Sequence, residues 1–240
     1  MKRIFDFNKA FSAFILVGMT VAIVIATTLK LQAEGSNPVL LLVAAFGSLM
    51  GILSTVCSAN GIIWTFLFGL IDVSLYAVMC FIGGKWGNAF LHLLYFLPMQ
   101  FVGFFQWRRR GAAGKEAPKA RRLTGKGRLV AGTVLVLGSA ALYMILRFTG
   151  AGATPFADAF SVVCNIIGQL LLSTAYMEQW FFWIGVNVST IVMWSLTLSA
   201  NPGDTYALIY VIKYSFYLLN ALNGLRNWMK LSAPGRSLEI

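Results

Sequence analysis

Apolar residues along this chain fall into eight stretches of about 20 residues, separated by short segments that hold most of the charged positions. A helix needs about 20 mostly apolar residues to cross the hydrocarbon core of a bilayer. The pattern therefore predicts an all-α membrane protein with eight transmembrane helices. The predicted spans are residues 11–29, 38–57, 62–82, 88–107, 129–147, 157–177, 179–199 and 205–228.

Composition places the chain in the same class. Hydrophobic residues make up 58% of the sequence and charged residues only 11%, whereas soluble domains carry about 25% charged residues. The three cysteines, Cys57, Cys80 and Cys164, lie within or at the ends of apolar stretches and lack metal-binding spacing. We therefore expect them to pack as small apolar side chains.

Basic residues are concentrated between the fourth and fifth predicted spans. Nine of the 19 Lys and Arg residues lie between Arg108 and Arg128. Loops rich in Lys and Arg stay in the cytoplasm, so an eight-span topology also places both termini there. The first span is longer than the apolar core of a signal peptide, and no clean A-x-A cleavage site follows it. We therefore expect a retained helix.

Two short sequence matches suggest an internal repeat. Asp72-Val73-Ser74 resembles Asn187-Val188-Ser189 at an offset of 115, and Gln106-Trp107-Arg108 resembles Asn227-Trp228 at an offset of 121. Spans two to four also run in the same directions as spans six to eight. The chain is therefore predicted to form a parallel repeat of two three-helix bundles joined by a linker helix, with substrate between the bundles near mid-membrane.

This 3+1+3 arrangement, with an additional N-terminal helix, divides the chain into six segments. They are the cytoplasmic N-terminus with the extra helix (1–37), the first bundle (38–107), the basic cytoplasmic loop (108–128), the linker helix (129–147), the second bundle (157–230) and the cytoplasmic tail (231–240).

A polar and aromatic stripe runs along the seventh predicted span. Trp180, Trp183, Asn187 and Trp194 fall within roughly 60° of one another on a helix. An Asn carboxamide in hydrocarbon is costly without a hydrogen-bond partner, so this stripe should face protein, water or a ligand. Two interpretations stay open. The stripe forms a binding wall for a flat solute, or it serves helix packing and interfacial anchoring.

Other spans also carry polar residues that cost free energy in a bilayer unless satisfied. In the fourth span, Gln100 follows Pro98, which frees a backbone carbonyl and can kink the helix. Gln100 is thus a candidate ligand partner or an interhelical hydrogen-bonding group. Asn88 lies at the outer end of the same span. In the eighth span, Lys213 and Tyr217 share one face.

Asp72 in the third span has three possible roles. A lone membrane carboxylate serves as a proton site, as the counter-ion of a cationic substrate, or as half of a buried pair. Lys213 is the expected partner in the third case.

The chain lacks the motifs of common enzymes. Gly114-Lys115 is followed by Glu116 rather than by Ser or Thr, so there is no P-loop. The H-E-x-x-H and G-x-S-x-G motifs are also missing. We expect no enzyme activity, cofactor, metal, nucleic-acid partner or ATP-driven transport by this chain. No Arg lies centrally in a span, so the substrate is predicted to be polar, flat and unphosphorylated.

Several of these features together resemble the PnuC family of nicotinamide riboside transporters. They are the W-x-x-W of Trp180 and Trp183 followed by Asn187, Gln100 after Pro98, the basic central loop and the 3+1+3 arrangement. The resemblance covers about residues 38–230. It implies a bacterial inner-membrane carrier for nicotinamide riboside with an architecture similar to that of SWEET proteins. It also implies facilitated diffusion, trapping by a separate cytoplasmic kinase, and a homotrimer.

The resemblance also implies roles for the candidate residues. Trp180 and Trp183 suit the cationic pyridinium ring by cation–π contact. Asn187 and Gln100 each donate and accept hydrogen bonds, as a carboxamide or vicinal hydroxyls require. The remaining candidates are Asn88, Tyr217 and Lys213 for the ribose, and Asp72.

Three other functions stay open at this point. The first is a carrier of another planar vitamin or nucleoside, coupled to protons through Asp72. The second is a membrane enzyme acting on a lipid or quinone, although no paired acid and base is evident. The third is a membrane interaction protein whose Trp stripe forms an oligomer contact.

Overall fold

The predicted all-α membrane fold is confirmed in a computed structural model, which describes residues 2–32, 37–82, 86–114, 116–150, 154–202 and 205–233. Eight long helices occupy the positions of the eight apolar stretches, and the fourth is made of α4, a π-helical turn at His92–Phe96, and α5. The helices are α1 (Lys2–Leu31), α2 (Pro38–Ala59), α3 (Thr65–Ile82), α4 (Trp86–Leu91), α5 (Leu97–Arg109), α6 (Gly125–Thr149), α7 (Pro155–Ser173), α8 (Gln179–Ala200) and α9 (Thr205–Leu231).

Seven of these helices are long and apolar enough to cross a membrane. The helix α9 is not among them, because Lys213, Arg226, Lys230 and several Asn residues lower its hydropathy. The eighth crossing therefore stays a prediction. Most of the predicted cytoplasmic tail, residues 234–240, lies outside the described residues.

Two helices begin earlier than their apolar stretches indicate. The helix α1 starts at Lys2 rather than near residue 11, and α6 starts at Gly125 rather than near residue 129. The start of α6 is set by a cap, since the Thr124 hydroxyl accepts a hydrogen bond from the Gly127 N–H at 3.1 Å. Hydropathy alone misses such starts, because polar first turns project into water and are stabilised by capping.

Pro98 explains the irregular fourth helix. The π-helical turn directly precedes this residue, and the Leu97 N–H donates to the carbonyl of His92, five positions earlier. Proline has no N–H to continue the α-helical ladder, so the backbone hydrogen bonds rearrange at this point. The predicted disturbance around Pro98 is therefore present as a widened turn.

The turns between α2 and α3 and between α7 and α8 have the same hydrogen-bonding pattern. Gly61 and Ala175 occupy equivalent positions, 114 residues apart, with φ of 70° and 60°. Each donates its N–H to the carbonyl three residues earlier, at 3.1 Å and 3.0 Å. The next residue in each turn donates to the carbonyl five residues earlier, at 2.9 Å and 2.8 Å.

Two buried tryptophans connect the halves of the chain in a reciprocal way. The indole N–H of Trp107, near the end of α5, donates to the carbonyl of Leu172 in α7 at 2.8 Å. The indole N–H of Trp228, near the end of α9, donates to the carbonyl of Ser58 in α2, also at 2.8 Å. Both side chains are fully buried, and their ring centroids lie 5.3 Å apart. Each half thus binds the end of the other half's first helix.

The basic segment between α5 and α6 packs against the same end of the helices. The Arg121 N–H donates to the carbonyl of Ala175 at 2.8 Å, and the Arg121 carbonyl accepts from the Met177 N–H at 2.9 Å. The Arg122 guanidinium donates to the Ser232 hydroxyl at 3.0 Å and to the Met229 carbonyl at 3.2 Å. This end of the molecule is called the basic end below.

Candidate functional site

A cavity of about 470 Å³ lies between the two halves of the chain. Its walls come from α2, α3, the helix formed by α4 and α5, α7, α8 and α9, and the described residues of α1 and α6 contribute nothing to its lining. All eight residues predicted to bind substrate lie along this cavity. They are Asp72, Asn88, Gln100, Trp180, Trp183, Asn187, Lys213 and Tyr217. Their binding roles stay predictions.

The three tryptophans of the α8 stripe lie in three different environments. Trp183 lines the cavity beside Gly168, where an added Cβ would lie 3.1 Å from the indole Cε2. Trp180 is only 3% exposed, and its ring packs on Gly224 and Trp228 at the base of the cavity. Trp194 stacks on Tyr210 with ring centroids 4.4 Å apart, outside the lining of this cavity. Trp183 is therefore the indole best placed to stack on a solute.

Among the carboxamides that line the cavity, Gln100 and Asn187 differ in their hydrogen bonding within the protein. The Gln100 Nε2 donates to the Phe96 carbonyl at 3.1 Å, and its Oε1 lies against Gly69, where an added Cβ would be 2.6 Å away. Asn187 is 8% exposed, yet its side chain forms no hydrogen bond within the described part of the protein. A buried amide without a protein partner is costly unless water or a ligand satisfies it. The Asn187 carboxamide is thus available to bind a solute or water in the cavity.

The charged residues of the cavity do not pair with each other. The Asp72 carboxylate lies against Gly51, where an added Cβ would be 2.8 Å from Oδ2. The Lys213 Nζ lies 5.7 Å from the centroid of the Tyr217 ring. Within the described ranges, the ion pair found is Arg128–Glu178 at 3.2 Å. The buried Asp72–Lys213 pair considered from the sequence is therefore absent from this structure.

The cavity also includes polar residues that sequence reasoning did not select. Asn220 donates to the Thr55 carbonyl at 3.1 Å, and Asn165 donates to the Ser161 carbonyl at 2.8 Å. His92 contacts the ring of Tyr76 with centroids 4.5 Å apart, and its Nδ1 lies 2.8 Å from the Asn88 carbonyl oxygen. Their position in apolar spans was the available signal, but that signal does not separate cavity residues from packing residues.

The cavity is closed at the basic end by a buried cluster. It includes Trp107, Trp228, Phe66, Ala59 and Ala175, and its members Trp180, Leu172 and Ala221 also line the cavity. At the opposite end the lining extends to Asn88, an exposed residue in the first turn of α4. The buried cluster therefore lies at the basic end of the cavity, whereas the lining reaches an exposed residue at the opposite end.

Comparison with known proteins decides the family. A family model described as "Nicotinamide mononucleotide transporter" matches residues 41–230. The protein named "Nicotinamide riboside transporter PnuC" from Neisseria mucosa is 38% identical over 192 residues, which cover 78% of this chain and 72% of that protein. The chain belongs to the PnuC family.

A second PnuC sequence and a PnuC crystal structure also match most of this chain. The Haemophilus influenzae protein of the same name is 33% identical over 195 residues, covering 78% of this chain and 79% of that protein. The structure titled "Crystal structure of the Vitamin B3 transporter PnuC" matches with a TM-score of 0.69 and 32% identity, covering 92% of each chain. These relatives are named as transporters, in line with the expectation that the chain is not an enzyme.

The residues matched by the PnuC family model include the helices that line the cavity and exclude α1. The match begins in α2 and ends in α9, so it contains every helix that lines the cavity. The helix α1 lies outside the match and packs through Ile15, Met19 and Ile23 against Ile52 and Val56 of α2. It therefore covers one side of the PnuC core without reaching the cavity.

Proposed function

We propose that this protein carries nicotinamide riboside across a bacterial inner membrane by facilitated diffusion. The observation that carries the proposal is the Asn187 carboxamide, which is buried in the cavity beside Trp183 without a protein hydrogen-bond partner. The choice of solute is supported by the relatives, which are named as nicotinamide riboside transporters. The volume of about 470 Å³ also falls within the range of small-molecule sites, roughly 300–1,000 Å³.

Each part of the riboside has a matching group in the cavity. The pyridinium ring stacks on Trp183, with Trp180 at the base, and the Asp72 carboxylate supplies a negative charge nearby. The carboxamide and hydroxyls exchange hydrogen bonds with Asn187 and Gln100, which both donate and accept. The remaining predicted contacts, to the ribose, are Asn88, Tyr217 and Lys213.

The charges of the cavity favour binding of the riboside. They disfavour the mononucleotide, which is the solute named in the description of the family model. Among the described lining residues, Lys213 is the single Lys or Arg and Asp72 is the single carboxylate. A phosphate is best held by the bidentate guanidinium of Arg, and a dianion beside Asp72 in a low-dielectric cavity is repelled. The phosphorylated solute is therefore excluded.

Transport requires a second state in which the basic end opens. The reciprocal Trp107 and Trp228 bonds and the matching turns support a parallel 3+1+3 repeat, in which one half moves against the other. Carriers of this kind expose one central site alternately through two states of similar free energy. In the present state the buried cluster closes the basic end.

The orientation and the physiological setting complete the proposal. The retention of Lys- and Arg-rich loops in the cytoplasm supports an orientation in which the basic end and both termini are cytoplasmic. A separate kinase traps the riboside there by phosphorylation. The protein is a homotrimer with one pathway per protomer, and α6, the least buried of the seven membrane helices, has the free surface for a lipid or protomer contact.

Uptake of labelled riboside into proteoliposomes tests the proposed function. Wild-type protein should take up the riboside and not the mononucleotide, and Trp183→Ala should reduce uptake by about tenfold or more through loss of the cation–π contact. Trp194→Ala is the matched control, because it removes an indole from the same helix outside the cavity. Near-normal uptake by Trp183→Ala would overturn the site.

Proton coupling through Asp72 is the main alternative, because this carboxylate faces the cavity without an ion-pair partner. A proton-coupled carrier would lose accumulation when a protonophore is added, and Asp72→Asn would be insensitive to it. Facilitated diffusion predicts uptake that follows the riboside gradient alone, whatever the pH gradient.

A further inference from the structure

Asp72 and Lys213 lie at similar depths on opposite halves of the molecule. Asp72 is ten residues from the end of α3, and Lys213 is eight residues from the start of α9. At 1.5 Å per residue these positions are about 15 Å and about 12 Å from the helix ends at the same side. Both side chains line the same cavity. The two charges therefore face the same cavity from opposite halves of the chain. In an alternating-access carrier these halves move relative to each other.

Within the described ranges, neither charge has an ionic partner in the present state. Gly51 leaves room for the Asp72 carboxylate, and the Lys213 ammonium lies near the Tyr217 ring. The other titratable side chains of the described lining are His92, Tyr76 and Tyr214. The lining extends to the exposed Asn88, so we infer that water reaches both charges from that end. When the cavity closes, that water is expelled and each unpaired charge becomes costly.

We propose that Asp72 and Lys213 form an ion pair when the empty carrier reorients, and that the cationic solute replaces Lys213 as the partner of Asp72 in the loaded carrier. This inference rests on the proposed function. Asp72 is then the counter-ion of the solute, and in the loaded carrier the Lys213 ammonium donates to the ribose hydroxyls, as proposed above.

The proposal separates two modes of transport. Net uptake requires the empty carrier to return, whereas exchange of labelled for unlabelled riboside uses only loaded carriers. In Lys213→Gln the loaded carrier still contains Asp72 and a cation, which compensate each other. The empty variant carries an unpaired carboxylate through the closed state, so its return is slow.

The experiment compares both modes in the same proteoliposomes, with the membrane potential clamped at zero. Lys213→Gln should lower net uptake about tenfold more than it lowers exchange, because loss of the proposed ribose contact weakens both modes alike whereas loss of the ion pair slows only the return of the empty carrier. Lys213→Arg keeps the charge and should keep the wild-type ratio of net uptake to exchange. Lys230→Gln removes a charge from the last turn of the same helix, outside the cavity, and serves as the matched control.

An equal fall of both modes in Lys213→Gln would overturn the proposal, because Lys213 would then act only through its proposed ribose contact. Unchanged behaviour in both modes would overturn it as well. If wild-type vesicles transport no riboside, the proposed function itself fails, and this outcome is distinct from the other two.

A second pair of variants keeps the test valid if Lys213→Gln cannot be produced. The double variant Asp72→Asn with Lys213→Gln leaves neither charge in the empty carrier, so its return is not slowed and the ratio of net uptake to exchange should be at least that of wild type, although affinity for the cation is reduced. Asp72→Asn alone leaves an ammonium beside the cationic solute, so it should lower exchange as strongly as net uptake. A ratio clearly below that of wild type in the double variant would overturn the proposal.

Discussion

The two halves of the molecule match at the basic end and differ in the cavity. Counting from the equivalent turns at Gly61 and Ala175, Phe66 corresponds to Trp180, and both rings pack on a glycine of the third helix in their half. Those glycines, Gly103 and Gly224, are 121 residues apart, as are Trp107 and Trp228. Three positions further along the second helix, however, Gly69 corresponds to Trp183.

This difference distinguishes the residues through which the two halves bind each other (the scaffold) from the residues that face the cavity (the candidate site). Equivalent residues make equivalent contacts where the halves bind each other, at the turns and at the two buried tryptophans. Where the halves face the cavity, one presents the small or apolar Gly69 and Val73, and the other presents Trp183 and Asn187. An asymmetric solute with a ring at one end and a sugar at the other needs unlike walls. The departures from the repeat therefore mark the candidate binding groups.

The largest expected effect comes from replacing Asn187, whose amide has no hydrogen-bond partner within the described part of the protein, with the residue at the corresponding position of the first half. Asn187→Val installs the residue found at the corresponding position, Val73, and removes the available hydrogen-bonding group. Loss of such a partner costs about 1–3 kcal/mol, so riboside uptake should fall by about tenfold or more. Labelled uptake in proteoliposomes measures this.

Moving the amide to the other half sharpens the same comparison. The double variant Val73→Asn with Asn187→Val keeps one carboxamide in the cavity but places it on α3, so uptake should stay low if the asymmetry matters. Recovery of uptake in the double variant would show that the position of the amide is unimportant, and it would contradict the separation of scaffold from site.

A smaller and symmetric effect is expected for the two buried tryptophans. Trp107→Phe and Trp228→Phe each keep a ring but remove one indole N–H, leaving a buried helix-end carbonyl without its side-chain partner. Each carbonyl keeps a backbone partner, the Ala175 or Gly61 N–H, so each substitution should lower the free energy of unfolding by about 0.5–1.5 kcal/mol, measured as a fall in the denaturation midpoint of the purified protein.

The two falls should be of similar size, because the two bonds are equivalent. Trp86→Phe is the control, since this indole is largely exposed at the opposite end. A large fall for one buried tryptophan and none for the other would show that the halves are not bound reciprocally.

Sequence reasoning reached the fold and the cavity residues by different routes. The helices follow from apolar length alone, since about 20 apolar residues have few alternatives in a bilayer. The candidate residues follow from the cost of polar groups in lipid, and all eight line one cavity. The same cost does not tell whether a residue such as Trp180 faces a solute or packs on Gly224, because that depends on how closely two helices approach.

The repeat shows where the sequence was insufficient. The match of Asp72 with Asn187 uses an offset of 115, whereas the two turns have equivalent hydrogen bonds at an offset of 114, which pairs Asn187 with Val73 instead. The matching features are backbone hydrogen bonds, a left-handed φ and glycine contacts, and unlike residues such as Gly61 and Ala175 produce them. Identity between the halves is therefore a poor guide to their equivalence.

The smallest expected effect is at Gly61 and Ala175, two different residues that adopt the same backbone conformation. Ala175 adopts φ of 60°, a conformation that costs an L-residue about 1 kcal/mol or more. Ala175→Gly relieves that strain but gives the unfolded chain more freedom, so the denaturation midpoint should stay close to that of wild type or rise slightly. Gly61→Ala should lower it, because the added Cβ would lie 2.8 Å from the Ala117 Cβ in addition to the backbone strain. Equal falls in both variants would mean that Ala175 is selected for its methyl group, and the equivalence of the two turns would then be limited to their hydrogen bonds.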